Sequence, residues 1–134
     1  MHHAVGTFEV TVTPEAQEPA VDGGAPTSRM GIAKTFTGGL VGTARGTMLA
    51  AGIPAPGQMA AYVAVDQVRG TLDGREGGFV LLHRGTMTRT GDSELQVTIA
   101  PDSGTGGLAG IAGTLSIEIE HGVHRYDLAY TLPR

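Results

Sequence analysis

The chain has no cysteine and no tryptophan in its 134 residues. Without cysteine there can be neither a disulfide framework nor a thiolate metal site, and the absence is compatible with a cytoplasmic location. Cations are scarce too: nine Lys and Arg against thirteen Asp and Glu leave a net charge of −4. The basic residues stand singly, so the electrostatic footprint of a nucleic-acid binder is missing. No apolar run approaches the roughly 20 residues of a membrane helix. Met1-His2-His3-Ala4-Val5 lacks the apolar centre of a signal peptide; a frayed, solvated terminus is expected there. Neither nucleic acid nor a membrane is an expected partner. The length suits one domain over residues 1–134.

Glycine, by contrast, is plentiful, at 22 residues, well above the usual level of about 7%. The glycines fall between short alternating runs, as many strands joined by tight turns require. Val5 to Thr13 places Phe8, Val10 and Val12 on one face, and Pro14 is expected to stop that strand. Glu15 to Pro26, with Pro19, Asp22-Gly23-Gly24 and Pro26, reads as a long loop of the kind that often forms a lid. Ser28 to Thr37 puts Met30, Ile32, Lys34 and Phe36 on one face, and Gly38-Gly39 turns the chain into Leu40 to Ala50. Ala60 to Leu72 follows after a Pro- and Gly-containing loop. Asp73-Gly74 is a two-residue hairpin signal, since both central residues of a type I′ turn need positive φ.

Gly78 to Thr88 carries Phe79, Leu81 and His83 on one face, and Glu94 to Ala100 alternates Leu95, Val97 and Ile99 with polar residues. Pro101 to Gly110 is a Gly-rich connection, after which Ile111 to His121 and Val123 to Leu132 complete the set. Gln58 to Val68 comes nearest to a helical stripe, but its Val and Tyr content favours strand. Eight hairpin-connected strands with one apolar face close most simply into an all-β, antiparallel, up-and-down barrel, which removes exposed edges. A two-sheet sandwich is the competing fold.

Ionisable residues on inward positions of such a barrel are costly unless paired. Lys34 shares a face with Ile32 and Phe36, Asp66 with Tyr62, Ala64 and Val68, and His83 with Phe79 and Leu81. If all three faces point inward, Asp66 would orient His83 as general acid or base while Lys34 stabilises a developing oxyanion. The alternatives are a buried Lys34–Asp66 ion pair beside a structural His83, or a face turned to solvent. Tyr62 and Tyr126, with Phe36 and Leu81, are the expected ligand contacts, the tyrosines offering phenolic hydrogen bonds or a stacking surface.

Three further patterns lead elsewhere. His121-Gly122-Val123-His124 offers two imidazoles, but a metal needs three or four converging ligands, so these read as exposed turn residues and no metal is expected. Gly104-Thr105-Gly106-Gly107-Leu108-Ala109 fits the dinucleotide spacing without the following helix that the motif requires, so a bulge-rich corner accounts for it. Ser103 has no nucleophile elbow around it and no base placed beside it. No cofactor is expected.

Six segments in order resemble the bacterial family DUF3224, placed in the allene oxide cyclase barrel-like superfamily. They are Gly6-Thr7-Phe8-Glu9-Val10, Lys34-Thr35-Phe36-Thr37-Gly38, Gly70-Thr71-Leu72, and Gly78-Phe79-Val80-Leu81-Leu82-His83 with Gly85-Thr86. The others are Pro101-Asp102-Ser103-Gly104-Thr105-Gly106-Gly107-Leu108-Ala109-Gly110 and Tyr126-Asp127-Leu128-Ala129-Tyr130. The resemblance implies an eight-stranded barrel. It implies no single reaction: allene oxide cyclases close a fatty-acid epoxide, and the related dirigent proteins steer radical coupling. The family usually has a Glu-Arg pair where this chain has Asp66-Gln67, a shortened acid and a lost cation. The expectation is therefore a barrel that binds a small, largely apolar metabolite and isomerises or cyclises it without a cofactor. The competing expectation is a lipocalin-like carrier with no reaction, or a purely structural role. Apolar patches between barrels are common, which admits a homodimer.

Overall fold

Period-2 alternation of β-branched and aromatic residues with polar ones leaves each segment only one way to hide its apolar face, against the matching faces of its neighbours. The structure, a computed structural model, describes residues 1–133. Its strands are β1 (His2–Glu18), β2 (Thr27–Gly38), β3 (Leu40–Gly52), β4 (Ala60–Leu72), β5 (Arg75–Met87), β6 (Ser93–Ile99), β7 (Thr105–Gly106), β8 (Ala112–Glu120) and β9 (Val123–Thr131). The order β4-β3-β2-β1-β9-β8-β6-β5 closes through a β4–β5 pairing, so eight long antiparallel strands form a closed up-and-down barrel and the sandwich is set aside. No helix forms among the described residues, and so none is long and apolar enough to cross a membrane.

The turns follow the sequence chemistry. Asp73 and Gly74 both have positive φ, 48° and 86°, and His121 and Gly122 repeat the arrangement at 52° and 79°. Pro14, however, does not end its strand. Pairing of β1 with β9 stops at Phe8, and beyond it β1 is hydrogen-bonded to β2 alone. A missing N–H is tolerated on a strand with one free side. A register shift between Pro14 and Ala16 absorbs one residue, and β1 runs on to Glu18 opposite Thr27. The expected Glu15–Pro26 loop is thus reduced to residues 19–26, and its first part is strand rather than lid. The N-terminus is likewise not frayed: His2 and His3 pair with Tyr130 and Ala129 of β9, and His3 Nδ1 lies 2.8 Å from Asp127 Oδ1.

The two ends of the barrel differ. One is sealed by Ala4, Leu40, Leu72, Leu108, Ile111, Leu128 and Tyr130, all buried. The Gly-rich 101–110 segment forms part of this floor. Ser103 Oγ accepts from Val80 N at 3.0 Å and donates to the Ala100 carbonyl at 2.7 Å, and Thr105 Oγ1 accepts from Gly78 N. With β7 on Gly77 and Gly78, these bonds continue the cover that β6 gives β5, and they lay Leu108 into the core. Ser103 is occupied as a structural residue. Above this floor Phe8, Phe36 and Tyr126 pack as tilted and edge-on rings with centroids 5.4 and 5.6 Å apart. Truncating Leu108 to Ala should open a cavity in the floor and cost about 2–5 kcal/mol. Urea unfolding followed by far-ultraviolet circular dichroism checks this, the folded baseline staying β-rich.

Candidate functional site

The inward row of each strand climbs from the sealed floor towards an open mouth. On β4 it reads Leu72, Gly70, Val68, Asp66, Ala64, Tyr62; on β5, Phe79, Leu81, His83, Gly85; on β2, Phe36, Lys34, Ile32, Met30. At the level where the packed aromatic core gives way to the mouth, three strands each place an ionisable group inward. Lys34 Nζ donates to Asp66 Oδ2 at 2.6 Å, His83 Nε2 lies 3.0 Å from the same oxygen, and Nζ and Nε2 are 3.3 Å apart. All three expected catalytic residues therefore converge, and the reading in which one face turns to solvent is removed. Lys34 Nζ also lies 5.5 Å from the centre of the Phe8 ring, a cation–π distance.

Burial sets the electrostatics of the trio. Asp66 is completely buried, while the side chains of Lys34 and His83 keep 7% and 4% of their exposure. Burial pushes the Asp66 carboxyl up. Hydrogen bonds from His83 and Lys34, with the Lys34 charge, pull it down further, and the net effect is a carboxyl held below its ordinary value. Oδ1 of the same carboxylate is buried with no hydrogen-bond partner. It faces Gly46 of β3, directly opposite in register. A β-carbon at residue 46 would sit 2.2 Å from Oδ1 and 2.3 Å from the Val65 carbonyl. Only glycine leaves room for the carboxylate. Nothing in the sequence around Gly46 marks it; its meaning comes from the β3–β4 register.

Above the trio the inward residues are apolar and increasingly exposed. A half-open cavity of about 520 Å³ is lined by Val12, Met30, Met48, Ala50, Tyr62 and Leu95, among others, a size within the roughly 300–1,000 Å³ of small-molecule sites. Lys34, Asp66 and His83 lie deeper than this wall, beneath Met30 and Met48, which face each other across β2 and β3. The Tyr62 ring lies over Gly85, where a β-carbon would come within 2.3 Å of it. Burial and the Asp66 charge both raise the Tyr62 hydroxyl's pKa, which ties Tyr62 electrostatically to the trio. A second groove, of about 630 Å³, runs over the rim of the same strands: it shares Ser28, Ala50, Tyr62 and Gly85 with the mouth cavity and continues past Leu49, Val63 and Arg84.

Of the four expected ligand contacts, Tyr62 alone lines the cavity. Phe36, Leu81 and Tyr126 are packed in the closed half. The Tyr126 hydroxyl accepts from Leu40 N at 2.9 Å and donates to the Thr37 carbonyl at 2.7 Å, tying the β2–β3 turn to β9. His124 corrects the expectation of an exposed turn residue: it is half-buried, with its ring 5.1 Å from that of Phe8. Among the described residues no group of three or more His, Asp or Glu side chains is placed to hold a metal ion.

A family model described as "Protein of unknown function (DUF3224)" matches residues 4–130. A solved crystal structure of a protein with unknown function from the DUF3224 family, from Shewanella oneidensis MR-1, is 41% identical, with a TM-score of 0.90 over 100% of this chain and 99% of that one. No curated protein matches the chain.

Removing one member of the trio should leave a buried charge uncompensated. Lys34→Met is expected to cost about 3–5 kcal/mol, and the double variant Lys34→Met/Asp66→Leu to regain most of it. Urea unfolding of the two proteins at neutral pH measures the difference. Because folding lowers the Asp66 pKa, its stabilising contribution is complete above the unfolded-state value of about 4 and is lost as pH falls through the folded value. The urea midpoint of the wild-type protein should accordingly drop more between neutral pH and about pH 3 than that of the double variant.

Proposed function

We propose that this chain, which belongs to the DUF3224 family, binds a small, largely apolar molecule in the mouth of its barrel and moves a proton on it with the Lys34–Asp66–His83 trio. One observation carries the reading: Lys34 and His83, from two different strands, meet on a single oxygen of the Asp66 carboxylate inside an otherwise apolar barrel. A barrel core needs no such group. Replacing buried ion pairs by well-packed apolar residues is often neutral or stabilising, so packing alone supplies no reason for the arrangement. The position adds support, since the trio lies at the boundary between the packed half and the open half and retains a little exposure on Lys34 and His83. Perturbed ionisable groups below an apolar cavity are the usual setting of acid–base chemistry.

The role assignment follows from donor and acceptor inventories. Asp66 fixes the imidazole and balances the charge it acquires on protonation. His83 exchanges the proton. Lys34 presents N–H donors to an oxygen on which negative charge develops. Tyr62, Met30, Met48 and Leu95 would hold the apolar body of the ligand. An isomerisation or cyclisation of this kind uses no cofactor, and the likeness to allene oxide cyclase barrels read from the sequence segments belongs to the same proposal.

The binding half of the reading is tested with a neutral apolar fluorophore, N-phenylnaphthylamine. Its emission should rise on addition of the wild-type protein, and Leu95→Asp, which puts a charge at the mouth, should weaken binding about tenfold or more, the desolvation of a carboxylate exceeding the roughly 1.4 kcal/mol of one decade. Equal binding by both proteins would place the fluorophore elsewhere and remove the mouth as the site.

A further inference from the structure

Building on the proton-transfer reading above, we infer the substrate class: a neutral carbonyl compound with an acidic C–H bond next to the carbonyl, a β,γ-unsaturated ketone above all, in which the trio shifts the double bond into conjugation. The first argument is charge. Lys34 and Asp66 cancel formally and share one short bond. A carboxylate ligand would enter beside a carboxylate that already has an unpartnered buried oxygen, and a cationic ligand would enter beside the Lys34 ammonium. Either adds an uncompensated charge to an apolar enclosure. A neutral molecule with one strong acceptor oxygen avoids both.

The second argument is the tautomer of His83. Nε2 can donate to Asp66 Oδ2, at 3.0 Å, or accept from Lys34 Nζ, at 3.3 Å, but cannot do both in one neutral ring. The charge-assisted bond to the carboxylate is the shorter and the stronger. It puts the hydrogen on Nε2 and leaves the lone pair on Nδ1, which has no hydrogen-bond partner among the described residues. The ring then has the Asp–His polarity of a general base, with the carboxylate behind it. Lys34 uses one of its three N–H groups on Asp66, and the others are free to donate to a carbonyl oxygen.

The reaction closes on itself. His83 Nδ1 takes the proton from the carbon between the carbonyl and the double bond, and the C–H electron pair becomes the new C=C of a dienolate. The negative charge collects on the oxygen held by Lys34, while Asp66 stabilises the imidazolium. The dienolate then takes the same proton back at its far carbon, which restores neutral His83 and leaves the conjugated ketone. No electron is gained or lost and no second reactant enters. The Met30 and Met48 thioethers, unbranched and adaptable, stand between the cavity and the trio, where a substrate would displace them.

The probe is cyclohexenone with its double bond β,γ to the carbonyl, followed by the ultraviolet absorbance of the conjugated product. In parallel, uptake of deuterium from heavy water next to the carbonyl of cyclohexanone is followed by NMR. The wild-type protein should accelerate both beyond the buffer rate. His83→Gln, checked for folding and for N-phenylnaphthylamine binding, should lose about 100-fold or more of the acceleration. A protein that binds the fluorophore but accelerates neither reaction overturns the carbonyl assignment while leaving the mouth as a binding site. Full activity in His83→Gln overturns the base assignment. Failure to bind the fluorophore as well as to turn over the ketone removes the underlying reading.

Discussion

A carboxylate with no contact to water lies at the centre of this molecule, and much of the local architecture serves to keep it charged. Asp66 could be neutralised by protonation or compensated by partners. The structure uses the second route: His83 from the adjacent β5 and Lys34 from β2, two strands away, bond to one oxygen, while Gly46 clears space for the other. Each contribution depends on register. A one-residue slip of β2, β4 or β5 would turn Lys34, Asp66 or His83 to the outside and leave the others exposed to the full desolvation penalty. The trio therefore penalises misregistered barrels, in addition to any chemistry it performs.

The second organising fact is the asymmetry of the barrel along its axis. Leucines, Ile111 and aromatic rings fill one half, and the Gly-rich segment closes that end with bonds from Ser103 and Thr105 to β5. Tyr130 extends the seal: its hydroxyl is hydrogen-bonded to Asp73 in the β4–β5 turn, and burial together with this carboxylate pushes its pKa up to about 12. The other half keeps the same inward alternation but lacks a cap, so Val12, Leu95 and Ile119 remain substantially exposed on inward positions. Exposed apolar residues at a concave mouth signify something to bind more than they signify a weak core. Packed below and open above, the barrel presents its ionisable groups where the two halves meet.

Much of this was legible from alternation. The run containing Met30, Ile32, Lys34 and Phe36 alternates strictly, so the inward direction of Lys34 follows once Phe36 is taken as core, and the same holds for His83 after Phe79 and Leu81. The Asp73-Gly74 turn was legible because positive φ at two consecutive residues selects few dipeptides. Pro14 misled because a strand-breaking residue is harmless where one strand edge is free, and the freedom of that edge depends on where β9 stops. Tyr126 and Phe36 carried no sign of their depth: alternation tells inside from outside but not floor from mouth.

The sequence by itself determined the all-β character, the number of long strands, the order of their turns and the inward set, because side-chain direction in a strand depends only on parity. Tertiary structure alone decided which inward residues meet. The tilt of strands in a closed barrel staggers their levels, so Lys34, opposite Ala44 in register, reaches Asp66 two strands away. The β3–β4 register put Gly46 against the carboxylate, and depth along the barrel axis left Tyr62, rather than Tyr126, at the cavity. Contacts between strands far apart in the chain are set by shear and closure, and those are properties of the whole barrel that no local run of residues encodes.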